Sequence, residues 1–398
     1  MIKKYFFLLT ILCALSLHAQ YLPLSENSEI SILTIGPGTQ LNDAFGHNGF
    51  RITDADNGID IVYNYGVYDF KTPNFYTKFA RGKLLYEIGA NNFQPFFAYY
   101  KRQNRWVKEQ TLDLTYSEKQ ALFKFLQINV KPENKKYRYD FFYDNCATKI
   151  RDVLMDVLGD QLIYKHDHIT ENYSFRELIQ KNVSANTWGS LGMDVAIGSV
   201  VDRKAKPIEY QFLPEYIFKG AENAILRKNN SEVPLVKKTE TLFEASKKSD
   251  ASSFFGSPLF VFGLIGLLVL FITYKDHKNQ TRNRIMDALL FLATGLVGVF
   301  ILLLWFATDH SATANNYNLL WAVPLSLLFV VLIFRKHPRA WMRRYIFFML
   351  LLMVLLVIHW ITGVQVFAIG LIPLLIALAI RYVFLLSYFK TITAHDKR

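Results

Sequence analysis

The sequence predicts two unlike halves: an α+β thiol domain on the outer side of a membrane, then an α-helical transmembrane bundle of about five spans. Three observations carry this. A basic start leads into a short apolar run, the C-terminal part alternates long apolar runs with polar breaks, and the middle mixes strand and helix periodicities.

Residues 1–19 read as a signal peptide. Met1-Ile2-Lys3-Lys4 is the basic start, Tyr5 to Leu17 the apolar core, and Ala19 the small residue before the cut. Cys13 follows Ile11-Leu12 rather than the small residue of a lipoprotein cleavage site, so it leaves with the leader. The mature chain then holds a single cysteine, Cys146. A lone thiol in an exported protein closes no internal disulfide; it is buried and inert, paired with another chain, or reactive.

Residues 20–228 form the exported domain. Ile30 to Ile35 is a strand bounded by Gly36-Pro37-Gly38. Gly49 to Ile52 and Ile59 to Tyr65 flank the turn signal Thr53-Asp54-Ala55-Asp56-Asn57-Gly58 and read as antiparallel neighbours. Leu84 to Ile88 and Gln110 to Leu114 are further strands, and Ser117 to Ile128 has helical spacing. After Cys146, the apolar residues Ile150, Val153, Leu154, Val157 and Leu158 recur at helix spacing, and Gly159 closes the run. Asp144 or Asn145 suits its N-cap, which puts Cys146 in the first turn. There the macrodipole and free backbone N–H groups are expected to lower the thiol pKa and to supply part of an oxyanion hole.

Residues 229–253, rich in Lys, Ser and Glu, read as a linker or polar helix. The membrane part is expected over 254–389, with apolar runs at Phe255–Tyr274, Met286–Ala307, Leu319–Phe334, Tyr345–Ile361 and Val366–Ser387, and a tail at 390–398. Lys275, Lys278, Arg282 and Arg284 fill the first break and Arg335, Lys336, Arg339, Arg343 and Arg344 the third; the second and fourth hold no Lys or Arg. By the positive-inside rule the basic breaks and the C-terminus are cytoplasmic and the thiol domain lies outside, as a leader also requires. The outer break Asp309-His310-Ser311, followed by Asn315 to Asn318, reads either as a wet loop or as functional polarity at a span end.

Most of the net charge of +12 belongs to the membrane part, because residues 20–250 carry 30 basic and 29 acidic side chains and the leader adds only two lysines. Such balance gives no basic face for nucleic acid. No cysteine or histidine cluster suits a metal, and no Gly-rich phosphate loop appears, so no cofactor is expected. A thiolate nucleophile needs a base. Of the histidines, His277, His337 and His395 fall on the cytoplasmic side, while His166 and His168 look superficial. His47, in Phe45-Gly46-His47-Asn48-Gly49-Phe50, is the best partner, set against the alternative of an inert buried thiol.

A histidine on an early strand with Asn145-Cys146 at a later helix start resembles the permuted papain-like enzymes related to NlpC peptidases and lecithin:retinol acyltransferase. More specifically, Phe45-Gly46-His47, Tyr63-Asn64-Tyr65-Gly66, Tyr139 to Thr148, Trp188 to Asp194, Asp309-His310 and Leu320 to Pro324 resemble a membrane-anchored Bacteroidota family that includes the lipoprotein N-acyltransferase Lnb. The resemblance spans nearly the whole mature chain. It implies transfer of a fatty acyl chain from a membrane phospholipid, through a Cys146 thioester, to the α-amino group of a lipoprotein's N-terminal diacylglyceryl-cysteine. His47 would be the base. Asn64 would be the third group, with Tyr63 next, a departure from acyltransferases that use a second histidine there. Asn145, Tyr63, Arg51, Asp309 and His310 are candidate oxyanion or substrate contacts. Arg51 and Arg151 would either hold a lipid phosphate or form structural ion pairs. The location implied is the inner membrane, with the thiol domain periplasmic. Two other readings stay open: an NlpC-type envelope peptidase or amidase, and a non-enzymatic membrane scaffold.

Overall fold

A computed structural model describes residues 23–228, 231–246 and 254–395; the expected leader, with Cys13, lies outside these residues. The first strands are β1 (Glu29–Ile35), β2 (His47–Asp54) and β3 (Ile59–Val67), antiparallel to one another across the expected turn. Then come α1 (Phe75–Ala80), β4 (Leu85–Asn92), α2 (Phe93–Arg102), β5 (Val107–Leu112), α3 (Tyr116–Asn129) and β6 (Lys136–Arg138). The cysteine helix α4 (Cys146–Leu158) precedes β7 (Leu162–Tyr164), α5 (Phe175–Gln180), α6 (Trp188–Ala196), α7 (Pro214–Glu222), β8 (Ala224–Lys228), β9 (Ser231–Pro234) and β10 (Val236–Phe243).

Seven strands form one antiparallel sheet in the order β10-β5-β1-β2-β3-β4-β6, and β7-β8-β9 form a small second sheet. The stretch expected to be a linker is therefore partly strand. β10 pairs along β5 from Val236↔Leu112 to Phe243↔Val107, and its alternating charged residues face outward at the sheet edge. Its low apolar content hid it from a reading based on hydrophobic periodicity.

The period-2 alternation of the strands divides the sheet between two cores. On one face Ile30, Ile32, Phe50, Ile52, Tyr63 and Tyr65 pack against Ile150, Val153 and Leu154 of α4 and Leu122 and Leu126 of α3. On the other face Leu33, Ile35 and Val62 pack against Phe93 and Tyr100 of α2. The helix predicted at 117–128 is present as α3, begun by a Thr115–Glu118 capping box. Gly159 ends α4 with φ +55°, as its glycine suggests.

Among the described residues, five apolar segments are long enough to cross a membrane. They are built on α8 (Pro258–Lys278), α9 (Arg284–Phe306), α10 (Leu325–Phe334), α11 (Trp341–Ile361) and α12 (Ile372–His395). The last helix runs through Lys390 into the stretch expected to be a tail. Near the cytoplasmic ends, Arg381 is fully buried and bridges Asp287 at 2.7 Å and Asp276 at 2.8 Å, tying α12 to α9 and α8.

The third span departs from a simple helix. Only Leu325–Phe334 is α-helical, ten residues, or about 15 Å of a roughly 30 Å core. Its outer part is two 3₁₀ turns, Ser311–Thr313 and Tyr317–Leu320. Irregular backbone at a membrane is stable only where protein satisfies it. Here Asn316, Asn318 and Gln365, all 0% exposed, do so. Asn316 Nδ2 donates to the Val195 carbonyl at 2.8 Å and Asn318 Nδ2 to that of Asp194 at 3.0 Å, capping the end of α6. Gln365 Oε1 accepts from the Tyr317 amide at 2.8 Å. The wet loop allowed by the sequence is thus, at these asparagines, a dry joint between the two halves. Asn318→Leu strands the Asp194 carbonyl and should cost about 1–3 kcal/mol, read as a lower unfolding temperature of the detergent-solubilised full chain.

Candidate active site

The start of the cysteine helix reaches β2, next to His47, where two strands part. The β2–β3 ladder runs from Asp54↔Ile59 to Phe50↔Tyr63 and then stops, leaving His47 to Gly49 and Asn64 to Val67 splayed. The β3–β4 pairing also shifts between Asn64 and Val67. The start of α4 enters this opening. A β-carbon on Gly66, whose φ is +88°, would sit 3.6 Å from the Cys146 β-carbon. The backbone N–H of Asn48, next to His47, hydrogen-bonds toward the Cys146 sulfur. Gly46, with φ +86°, lets the chain pass so close to the Ile35 carbonyl that a β-carbon would lie 2.6 Å from it. Both functional side chains are half-buried.

Asn64 orients the histidine. Its Oδ1 is 3.3 Å from His47 Nε2, and its Nδ2 donates to Asn91 Oδ1 at 3.1 Å. With the amide nitrogen committed to Asn91, the oxygen faces the imidazole and accepts from Nε2–H. That tautomer leaves the Nδ1 lone pair free to accept a proton. Asn91, on β4, carries no sequence signal of its own; only the sheet order reveals it. Tyr63 points to the opposite face, 4% exposed within the main core, and burial pushes its phenol up to about 12. It does not share the face of His47.

The electrostatics differ from what a helix start alone suggests. Burial lowers His47 to about 4, opposed by the bond to Asn64 and reinforced by the Arg105 charge. Burial pushes the Cys146 thiol up to about 11, against the pull of the Asn48, Cys146 and Ala147 amides and of Arg105. Desolvation outweighs the helix terminus, so the resting pair is neutral thiol and neutral imidazole rather than an ion pair. Arg105, 4% exposed, is held by the Gly36 carbonyl at 2.7 Å and supplies a fixed positive charge to both groups.

Several expected contacts prove structural. Asn145 is the N-cap of α4: Oδ1 accepts from the Ala147 and Thr148 amides at 2.8 and 2.9 Å, and Nδ2 donates to the Phe141 and Phe212 carbonyls at 2.7 and 2.8 Å. Its polar atoms are spent on positioning Cys146, leaving none for an oxyanion. Arg51 binds Asp60 at 2.8 Å and Glu109 at 3.0 Å and lies under the Phe93 ring at 3.4 Å, so it offers no free charge to a phosphate. Arg51→Met should therefore lower stability by about 1–3 kcal/mol while leaving the apparent KM for phospholipid unchanged in a vesicle assay. Arg151 is likewise paired, with Asp152 at 2.7 Å.

Asp309 and His310 reach this domain from the membrane half. The Asp309 amide donates to the Arg81 carbonyl at 2.9 Å, its carboxylate meets Arg138 at 3.3 Å, and His310 Nε2 lies 3.2 Å from the Ala80 carbonyl. They do not join Cys146 and His47 directly. They form one side of a cleft of about 230 Å³ whose other side includes Phe79, Leu84, Tyr86 and Tyr139. Tyr86, on the wall of that cleft and stacked on Tyr139, pairs across the sheet with Tyr137, which like Cys146 packs against the main core. No group of metal-ligating side chains occurs among the described residues.

Residues 23–181 match the Lnb N-terminal periplasmic domain, and residues 249–392 match the Lnb transmembrane domain. The chain belongs to the Lnb family. The two matches fall on either side of β8–β10 and place the sheet and its cysteine helix in the periplasm, on a multi-pass inner-membrane bundle. Lnb family membership makes the chain a lipoprotein N-acyltransferase, an enzyme that engages phospholipid and lipoprotein. Neither the curated proteins nor the solved structures contain a match.

Proposed function

We propose that Cys146 carries the acyl group as a thioester, that His47 moves the protons, and that Asn64 holds His47 in its working tautomer. The observation that supports this most directly is the Asn48 amide turned toward the Cys146 sulfur beside a histidine whose Nε2 is engaged by Asn64. In the first half-reaction, His47 takes the thiol proton as sulfur attacks the ester carbonyl carbon of a phospholipid. The oxyanion that forms is met by the Asn48 and Cys146 N–H groups, which now face the sulfur. Collapse breaks the ester C–O bond, and His47 returns the proton to the departing lysophospholipid oxygen.

In the second half-reaction the neutral α-amine of the lipoprotein's diacylglyceryl-cysteine attacks the thioester carbonyl. His47 takes a proton from the nitrogen, the C–S bond breaks, and the sulfur recovers that proton. The net change converts an ester and an amine into an amide and a lysophospholipid, with the enzyme unchanged. A neutral resting pair means that no thiolate stands exposed before the donor lipid arrives.

The test is to incubate the membrane-embedded full chain with phospholipid alone and measure the mass of the Cys146 peptide. An acyl adduct discharged by a diacylated lipopeptide is expected. Absence of any adduct, in a preparation that still acylates the lipopeptide, would sink the thioester route.

A further inference from the structure

We propose that the cleft between α1 and the Asp309–Ala312 loop holds the fatty chain of the donor phospholipid, and that Leu84 and Phe79 determine which chain lengths are accepted. This rests on the reading of Cys146 as acyl carrier. The cleft wall is formed by Tyr139 and Tyr86, whose rings stack at 4.3 Å; Tyr86 pairs across the sheet with Tyr137, which like Cys146 packs against the main core, and Tyr86 also meets Tyr68 at 5.4 Å. An aromatic wall therefore runs toward α1, facing Asp309, His310 and Ser311 across the cleft.

The far end opens where lipid is at hand. Ala80 and Arg81, at the end of α1, bond to His310 and Asp309. Those residues follow Phe306, the last residue of α9, by at most four positions, so the α1 end lies within about 14 Å of the outer end of that span. Phe306 itself is 71% exposed and stacks on Trp305, as in an interfacial belt. Around the mouth, Phe70, Tyr76 and Phe79 are 65, 78 and 53% exposed. Aromatic exposure of that extent, clustered on one short segment, marks a lipid or ligand contact rather than ordinary surface. Leu84 is 3% exposed and lines the interior, while Phe79 stands at the rim. A fatty chain, with one end at Cys146 and the other in the outer leaflet, matches this polarity from end to end.

The experiment uses the full chain in nanodiscs that hold a graded series of saturated phospholipid chain lengths, with the acyl groups on Cys146 quantified by mass. Leu84→Phe fills the cleft and shifts the adducts to shorter chains, by about fourfold in the long-to-short ratio for each methylene displaced. Phe79→Ala, at an exposed position whose loss does not endanger folding, shifts them to longer chains. Adducts that form in both variants with the unaltered distribution would overturn the inference while leaving Cys146 as the carrier. No adduct on the unaltered enzyme with any lipid would remove the carrier and the cleft's role together.

Discussion

His47→Ala should slow acyl transfer by about 10²–10⁴-fold, and Cys146→Ala should abolish it, leaving lipoproteins with a free amino terminus. The two changes remove parts of one unit, so the double variant should be no worse than Cys146→Ala alone. Asn64→Ala keeps both reacting groups but frees the imidazole to turn, a loss of about 10²-fold. The pH profile separates this positioning role from a general structural one. His47 is lowered to about 4, so it remains a neutral base down to that pH, and formation of the Cys146 adduct from phospholipid alone, a step free of the acceptor amine's own titration, should fall only as pH drops through about 4. An unperturbed histidine would lose its base function near pH 6.5. The bond from Asn64 favours the charged imidazole, so Asn64→Ala should move the acid limb still lower while kcat falls. An acid limb unchanged in that variant would contradict the arrangement, whatever happened to the rate.

Arg381→Met should destabilise the membrane half by about 3–5 kcal/mol, because Asp276 loses its ion-pair partner and Asp287 keeps only the longer contact to Arg282 at 3.7 Å. Asp287 is fully buried and Asp276 nearly so. Lysine is a poor substitute: one ammonium cannot offer the planar fork that reaches both Asp276 and Asp287. Arg381→Lys should therefore recover only part of the loss, measured as retention of folded protein after heating in detergent. Equal stability of Arg381→Met and the unaltered chain would show that the clasp holds nothing.

Much of the site was legible because it depends on local grammar. The helix start at Cys146, the cap at Asn145 and the turn between β2 and β3 each leave a short sequence mark, whereas Asn64 was singled out only by the family resemblance. What was hidden depends on separations of tens of residues. Arg51 was open between a phosphate contact and a structural ion pair until the sheet brought Asp60 and Glu109 to it. Asn91 matters only because β3 lies beside β4. The expected drop in the thiol pKa was read from the helix alone, whereas the surrounding protein decides it. The third span deceived for another reason. Its apolar content is that of a helix, but Pro324 and the asparagines before it break the helix where a neighbouring domain supplies the hydrogen-bond partners.

That break imposes an order on assembly. The amide hydrogens of Asn316 and Asn318 go to carbonyls at the end of α6, which belongs to the exported half. Leaving the translocation machinery, the third segment has ten residues of finished α-helix and a polar notch that nothing in the lipid can fill. The bundle closes only once the periplasmic half has folded and delivered that helix end. Maturation of the membrane anchor is thus conditional on the enzyme it carries, and a chain severed between the halves should yield two pieces that mature only together.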